Sequence, residues 1–202
     1  DVRHPDYYKI IKWKKNDMKK IFRFDDVCIN ADMSHVEKMT NFLFKNFPNC
    51  EIIWAISPLV HDMSLESNSV SKQRIFPKIL NAHSDFKVYY KVDKAGLPDF
   101  NPNVTIAGHA LIHVDHRLLD RSAQEMSILI SCSLCKSKVF VPPFNKWNKD
   151  TEEICKENDI KLIKFEDGWK SIEYNKYDPN HNLWYLHARE IEFENFTKWF
   201  NK

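Results

Sequence analysis

"IFRFDDVCIN", residues 21–30, sets two aspartates at the end of an apolar run. Ile21, Phe22 and Phe24 read as a buried strand over residues 20–24, which Asp25 and Asp26 end. Neighbouring carboxylates repel, and a strand sends neighbours to opposite faces. A core strand that finishes this way calls for a reason, and the reason lies in what gathers at the other strand ends.

Further strands are expected over 50–57, 86–92, 103–108, 137–143, 160–166 and 182–188. They are short, and several are apolar throughout, the pattern of parallel strands covered on both faces. Helices alternate with them. "SHVE" (34–37) reads as a capping box with Ser34 as N-cap, followed by Val36, Met39, Leu43 and Phe47 at helical spacing and Pro48 as the stop. "SAQE" (122–125) and "DTEE" (150–153) open two more helices, and "IEFENFTKWF" (191–200) closes the chain as an amphipathic one. Residues 60–85 are the least legible, and "DMSLESNSVSKQ" (62–73) within them reads as a loop, either a lid or a surface excursion. Right-handed crossovers bring the C-terminal ends of parallel strands to one face, where α/β folds place their chemistry. "GHALIHVDH", "PPFNKWN", "EDGW" and "LHARE" all fall at or just after strand ends, as Asp25 and Asp26 do.

The 202 residues suit one domain, and 43% hydrophobic residues supply a full core without disulfides. A formal charge of +2 argues against a general nucleic-acid binder. The basic cluster "KIIKWKKNDMKK" (9–20) reads as a solvated face, with an anionic substrate or a membrane surface as the alternative. Cys28, Cys50, Cys132, Cys135 and Cys155 are odd in number and irregular in spacing, so a reducing compartment is expected rather than a disulfide framework. "CSLC" (132–135) is formally a CxxC, but it lies in an expected helix and has no second pair to complete a zinc site. No apolar run approaches the ~20 residues of a membrane span. No export signal is visible, and the chain begins at Asp1 without Met, as an excised or processed domain would. Cytoplasmic localisation is the resulting expectation.

His109 and His113 are four apart, so on a helical turn they share a face, a spacing that suits two imidazoles on one divalent metal. His116 falls on roughly the same face. Asp26 can add an anionic oxygen ligand, leaving positions open for water and a substrate oxygen. With the chain bending at the strand end, Asp25 can then face the water as general base. The metal's charge eases the cost of two adjacent carboxylates. His187, after an apolar strand, can serve as general acid for a leaving group. Each residue also has a structural reading: the aspartates as caps, the histidines as core or surface residues.

A strand ending in Asp-Asp, then His-x-x-x-His, Pro-Pro-aromatic, an Asp near a Trp and a final Leu-His resembles the polysaccharide deacetylases, the NodB-homology carbohydrate esterases. The resemblance runs over about residues 20–190. It implies one domain spanning 1–202 with a distorted (β/α) barrel of mostly parallel strands, and metal-dependent deacetylation of an N-acetylated sugar. It also implies one divalent ion, zinc or in its place cobalt, nickel or manganese, on Asp26, His109 and His113. Asp25 would be the base and His187 the acid. Pro142, Pro143 and Phe144 would form one groove wall. Asp167 would act electrostatically, Trp169 would line the acyl pocket, and Leu186 would belong to that pocket. The gap from Asp26 to His109 is long, consistent with an insertion around 60–100.

The family's third motif carries an arginine that orients the base, and Val141 stands at that position here. Arg23, two residues before Asp25 and so leaning to the same side of the strand, is the first candidate to replace it. Arg189, two after His187, is the second, and a surface or structural role is the alternative for both. The expected substrate is a carbohydrate, a sugar nucleotide or a lipid-linked sugar on the way to capsule, O-antigen or another surface glycan. The rival functions are O-deacetylation, deformylation or another amide hydrolysis on the same fold, and glycan binding without turnover.

Overall fold

The computed structural model describes residues 19–27, 33–57, 104–111, 113–188 and 190–200, with Met33 by its backbone alone. Among these, seven strands form one sheet: β1 (Ile21–Val27), β2 (Glu51–Ile56), β3 (Val104–Gly108), β4 (Val139–Phe140), β5 (Lys161–Leu162), β6 (Lys170–Ser171) and β7 (Leu183–His187). Their order is β5-β4-β3-β2-β1-β7-β6, and every pairing is parallel. The sheet curls into a distorted half-barrel. Among the described residues four helices accompany it: α1 (Met33–Asn46), α2 (Arg121–Leu134), α3 (Lys149–Glu157) and α4 (Phe193–Trp199).

Strand alternation sorts the side chains into two layers. Phe22 and Phe24 of β1, Trp54 of β2 and Trp184 and Leu186 of β7 pack outward, with Val36, Met39 and Leu43 of α1 and Phe196 of α4. Ile53, Ala55, Ala107, Val141, Ile163, Trp169 and Tyr185 form the inner cluster. Burial of each large apolar side chain stabilises by about 1.5–3 kcal/mol. The outer layer therefore anchors β1 strongly enough to carry Arg23 and Asp25 on its inner side. At Gly108 a side chain would meet Ser131 Oγ at 2.9 Å, so the bare backbone lets α2 lie close on β3.

Several boundaries differ from expectation. β1 does not stop before the aspartates but runs through both. The strands expected over 137–143 and 160–166 shrink to two residues each. Pro142 and Pro143 have no N–H for the ladder, which ends β4 early. β6 has no apolar run and forms through its pairing with β7. α1 begins at Met33, so Ser34 lies inside its first turn and is not the N-cap. α2 is capped by Asp120, which accepts from the Ala123 N–H, and α3 by Asn148, in a capping box with Thr151. The strand expected over 86–92, the loop over 62–73 and the insertion around 60–100 lie outside the described residues, as do lysines 9–15, Cys28 and Arg189.

The remaining lysines of the basic cluster are tied to the fold. Lys19 pairs with Glu51 at 3.0 Å, and Lys20 donates to the carbonyls of Pro179 and His181. Cys50, Cys132, Cys135 and Cys155 are free and buried, and burial pushes the Cys132 thiol up to about 11 and the other three to about 12. They stay protonated, and none joins a metal-ligating cluster among the described residues. Among these residues, no helix is long and apolar enough to cross a membrane.

Candidate active site

The pair of aspartates is accommodated by a bulge. Phe24 lies opposite Trp54 and Val27 opposite Ile56, so three steps on β1 face two on β2. Asp26 takes the left-handed conformation (φ 58°), which Asp tolerates better than most residues. The extra residue breaks the alternation that would send the two carboxylates apart. Both are buried.

Asp26 Oδ1 lies 3.3 Å from His109 Nε2 and 3.0 Å from His113 Nε2. Burial by itself would raise the Asp26 pKa, but the two imidazoles outweigh it and hold the carboxyl far below the usual range. His109 is fixed on three sides. Its backbone N–H donates to Ile56 O, its carbonyl accepts from Ser57 Oγ, and its Nδ1 lies 2.8 Å from Val141 O. A carbonyl can only accept, so Nδ1 carries the proton. In the neutral ring Nε2 then turns a lone pair toward a carboxylate oxygen. Acceptor faces acceptor, an arrangement that a cation between them satisfies. The three ligand atoms lie within 4.8 Å of one another, and one carboxylate with two imidazoles is a donor set that suits zinc. The residues therefore fit a divalent ion.

The two histidines do not converge on a helix, as their spacing suggested. Ala110 is left-handed (φ 63°), and the first helical turn after them is His116–Leu118. A loop brings their ring centroids to 5.1 Å. His116 turns away from this centre. Its Nε2 lies 3.3 Å from Ser127 Oγ and its ring packs on Phe140. Burial pushes it down to about 3, so it is neutral at ordinary pH.

Asp25 lies beside the triad and is gripped from its own strand. Arg23 donates Nε to Oδ1 and Nη2 to Oδ2, both at 2.8 Å. The guanidinium is fully buried, 4.8 Å from the Trp169 ring and 4.9 Å from the Tyr185 ring, and Nη2 also donates to Asn145 Oδ1 at 2.5 Å. Val141 contributes its backbone carbonyl to His109, and the arginine beside Asp25 comes from β1.

His187 is the register partner of Asp25 across the β1–β7 pair. Its Nδ1 lies 3.4 Å from Glu173 Oε1, and its backbone N–H donates to the same oxygen at 2.6 Å. Ser171 donates to the other oxygen of Glu173. Burial draws the His187 pKa down, but the Glu173 hydrogen bond and the charges of Asp25 and Asp26 outweigh it and push it up to about 9. Glu173 was not singled out in the sequence. It follows the unexpected strand β6, and its only signal there was a carboxylate just past "EDGW".

Two expected residues point elsewhere. Asp167 is exposed and accepts from the Lys164 N–H, capping its own turn; the carboxylate beside His187 is Glu173. Leu186 faces the outer core, because alternation gives the inner side of β7 to Tyr185 and His187. Trp169 is buried against Arg23. In the turn after β4, Pro143 is buried, and Phe144 is 41% exposed with its ring centroid 4.3 Å from that of His113.

Neither a protein-family model nor a curated protein matches the sequence. Solved structures do. A family 4 carbohydrate esterase from Streptomyces lividans, in complex with acetate, aligns over 91% of this chain and 86% of its own, with a TM-score of 0.53 and 9% identity. The peptidoglycan deacetylase PdaC of Bacillus subtilis aligns over 91% and 82%, with a TM-score of 0.51 and 11% identity. A family 4 carbohydrate esterase pseudoenzyme from Bacillus anthracis aligns over 91% and 59%, with a TM-score of 0.53 and 9% identity. Across most of its length this chain has the fold of the family 4 carbohydrate esterases, the polysaccharide deacetylases of NodB-homology type.

Proposed function

We propose that this chain is a metal-dependent hydrolase that removes an acetyl group from an N-acetylated sugar of a glycan or glycan precursor. The observation that carries the reading is the pairing of Asp25 with His187 across β1 and β7, beside the Asp26–His109–His113 triad. A divalent ion on the triad, zinc by its donor set, would supply Lewis-acid polarisation of the acyl oxygen and ease deprotonation of water. Asp25, gripped by the Arg23 fork, takes a proton from the attacking water as its oxygen bonds to the acyl carbon. His187, charged below about pH 9, gives its proton to the sugar nitrogen as the C–N bond breaks. Acetate and a free amine leave. Phe144, exposed above His113, offers a face for the sugar ring, with Pro143 beneath it.

The reading treats the chain as one domain over 1–202. The placement in the cytoplasm, acting on a precursor of a surface glycan, is part of the proposal and rests on the cysteine pattern. The test is acetate release from a panel of N- and O-acetylated sugars, sugar nucleotides and oligosaccharides, by metal-free protein and protein reloaded with zinc. Release from N-acetylated members that requires metal supports the reading. Release from O-acetyl esters alone moves the chemistry to esterase. Glycan binding without turnover by metal-loaded protein overturns the enzyme reading.

A further inference from the structure

Asn145 joins the turn after β4 to the buried arginine of β1. A guanidinium only donates, so the amide oxygen must face Arg23, and the orientation of Asn145 is settled by its partner. The Trp169 and Tyr185 rings lie at 4.8 and 4.9 Å from the guanidinium carbon. Ring contacts resist tilt but allow the guanidinium to turn in its own plane. The bidentate bond to Asp25 does not stop that turn, because arginine and carboxylate can pivot together. The Nη2 bond to Asn145 Oδ1 comes from another element, 122 residues away in sequence, and does stop it.

The same residue sits in an uncommon backbone state. Phe144 (φ 56°) and Asn145 (φ 55°) are both left-handed, a state Asn tolerates and a bulky aromatic residue seldom adopts. Strained pairs of this kind persist where surrounding contacts over-determine them. Here those contacts are the Arg23 bond at Asn145 and the packing of Phe144 on His113.

We propose that Asn145 is a positioning residue. It locks the Arg23 fork, and through it the Asp25 carboxylate, while its left-handed backbone holds Phe144 over the site. The inference rests on the deacetylase reading for its effect on turnover, but the lock itself is readable without substrate.

Three substitutions separate bond from backbone. Asn145→Gly keeps the left-handed preference and removes the amide. Asn145→Asp keeps an acceptor and tolerates the backbone, and Asn145→Ala loses both. The readouts are hydrogen exchange of the Arg23 Nε–H by NMR, assigned by its loss in Arg23→Lys, with kcat, KM and metal content. Asn145→Gly should exchange about 10-fold faster while metal content stays at the wild-type level. Its kcat should fall by about 10- to 100-fold, with KM within about twofold. Asn145→Asp should rescue both kcat and exchange. Unchanged exchange and kcat in Asn145→Gly, or an Asn145→Asp that behaves like it, overturns the proposal. Faster exchange in Asn145→Gly, with no turnover by the wild-type protein, supports the lock and refutes the deacetylase reading instead.

Discussion

No solvent reaches the guanidinium of Arg23, yet its charge is answered by one carboxylate two residues along the same strand. Removing one partner of a buried ion pair strands the other, at a cost of about 3–5 kcal/mol. That makes Asp25→Asn a gentler probe than Arg23→Ala, because the amide keeps shape and one acceptor. Asp25→Asn should retain its metal by elemental analysis and lose turnover by about 10²-fold or more. Loss of metal instead would exchange the roles of the two aspartates.

Glu173 acts at the same scale on His187. A folded pKa of about 9, above the ordinary 6.5, makes a contribution to stability that is complete below about pH 6.5 and lost as pH rises through about 9. His187 is charged over that same range. Glu173→Gln removes the charge that keeps His187 protonated. The alkaline limb of its pH–rate profile should move from about 9 toward about 6.5. Its melting-temperature deficit against wild type should be largest near pH 6 and shrink above pH 9. A profile with an unmoved alkaline limb would release Glu173 from this role.

Among the elements, β7 shows most directly how alternation divides labour. Trp184 and Leu186 face the helices, and Tyr185 and His187 face the barrel. Leu186→Ala opens a cavity in the outer core, on the face of the sheet opposite Tyr185. It should destabilise by about 2–5 kcal/mol in denaturant unfolding and leave KM at the wild-type value. A raised KM with intact stability would return Leu186 to the substrate pocket. The bulge of β1 is the complementary device. One extra residue suspends alternation where two neighbouring carboxylates must serve one site.

For the whole molecule, the triad ties two parts of the sheet together: Asp26 on β1, and His109 and His113 on the loop after β3. A ligand that binds only the folded chain stabilises by mass action, by about 2.7 kcal/mol at 100 times its Kd. Chelation should therefore lower the melting temperature of the wild-type protein by several degrees and leave that of Asp26→Ala unchanged. Equal response in the two proteins would remove the ion from this site.

How far the site could be read along the chain differs residue by residue. Asp25, Asp26, His109, His113 and His187 stood out because each follows an apolar run, and parallel strands bring such ends together. Arg23 was reachable by counting two residues back from Asp25. Glu173 was not, because β6 has no apolar signature and exists only as a partner of β7. Leu186 and Tyr185 could not be told apart in role, since either parity of an apolar strand can face inward. Asp167 beside Trp169 read as the electrostatic carboxylate, but the turn around Gly168 (φ 100°) aims it at its own backbone.

The sequence by itself determined what is local or periodic: the α/β alternation, the parallel sheet, the outer apolar layer and the strand-end placement of the polar residues. Apolar periodicity and turn residues carry that information within a few residues. Only the tertiary structure decided which face of each strand points into the barrel, that a bulge and not a strand end presents Asp26, and that a loop and not a helix joins the two histidines. It also decided that Asn145 and Glu173 complete the grip on Arg23 and His187. Those outcomes depend on the curl of the sheet and on contacts between segments distant along the chain, where no residue's own preference sets the geometry.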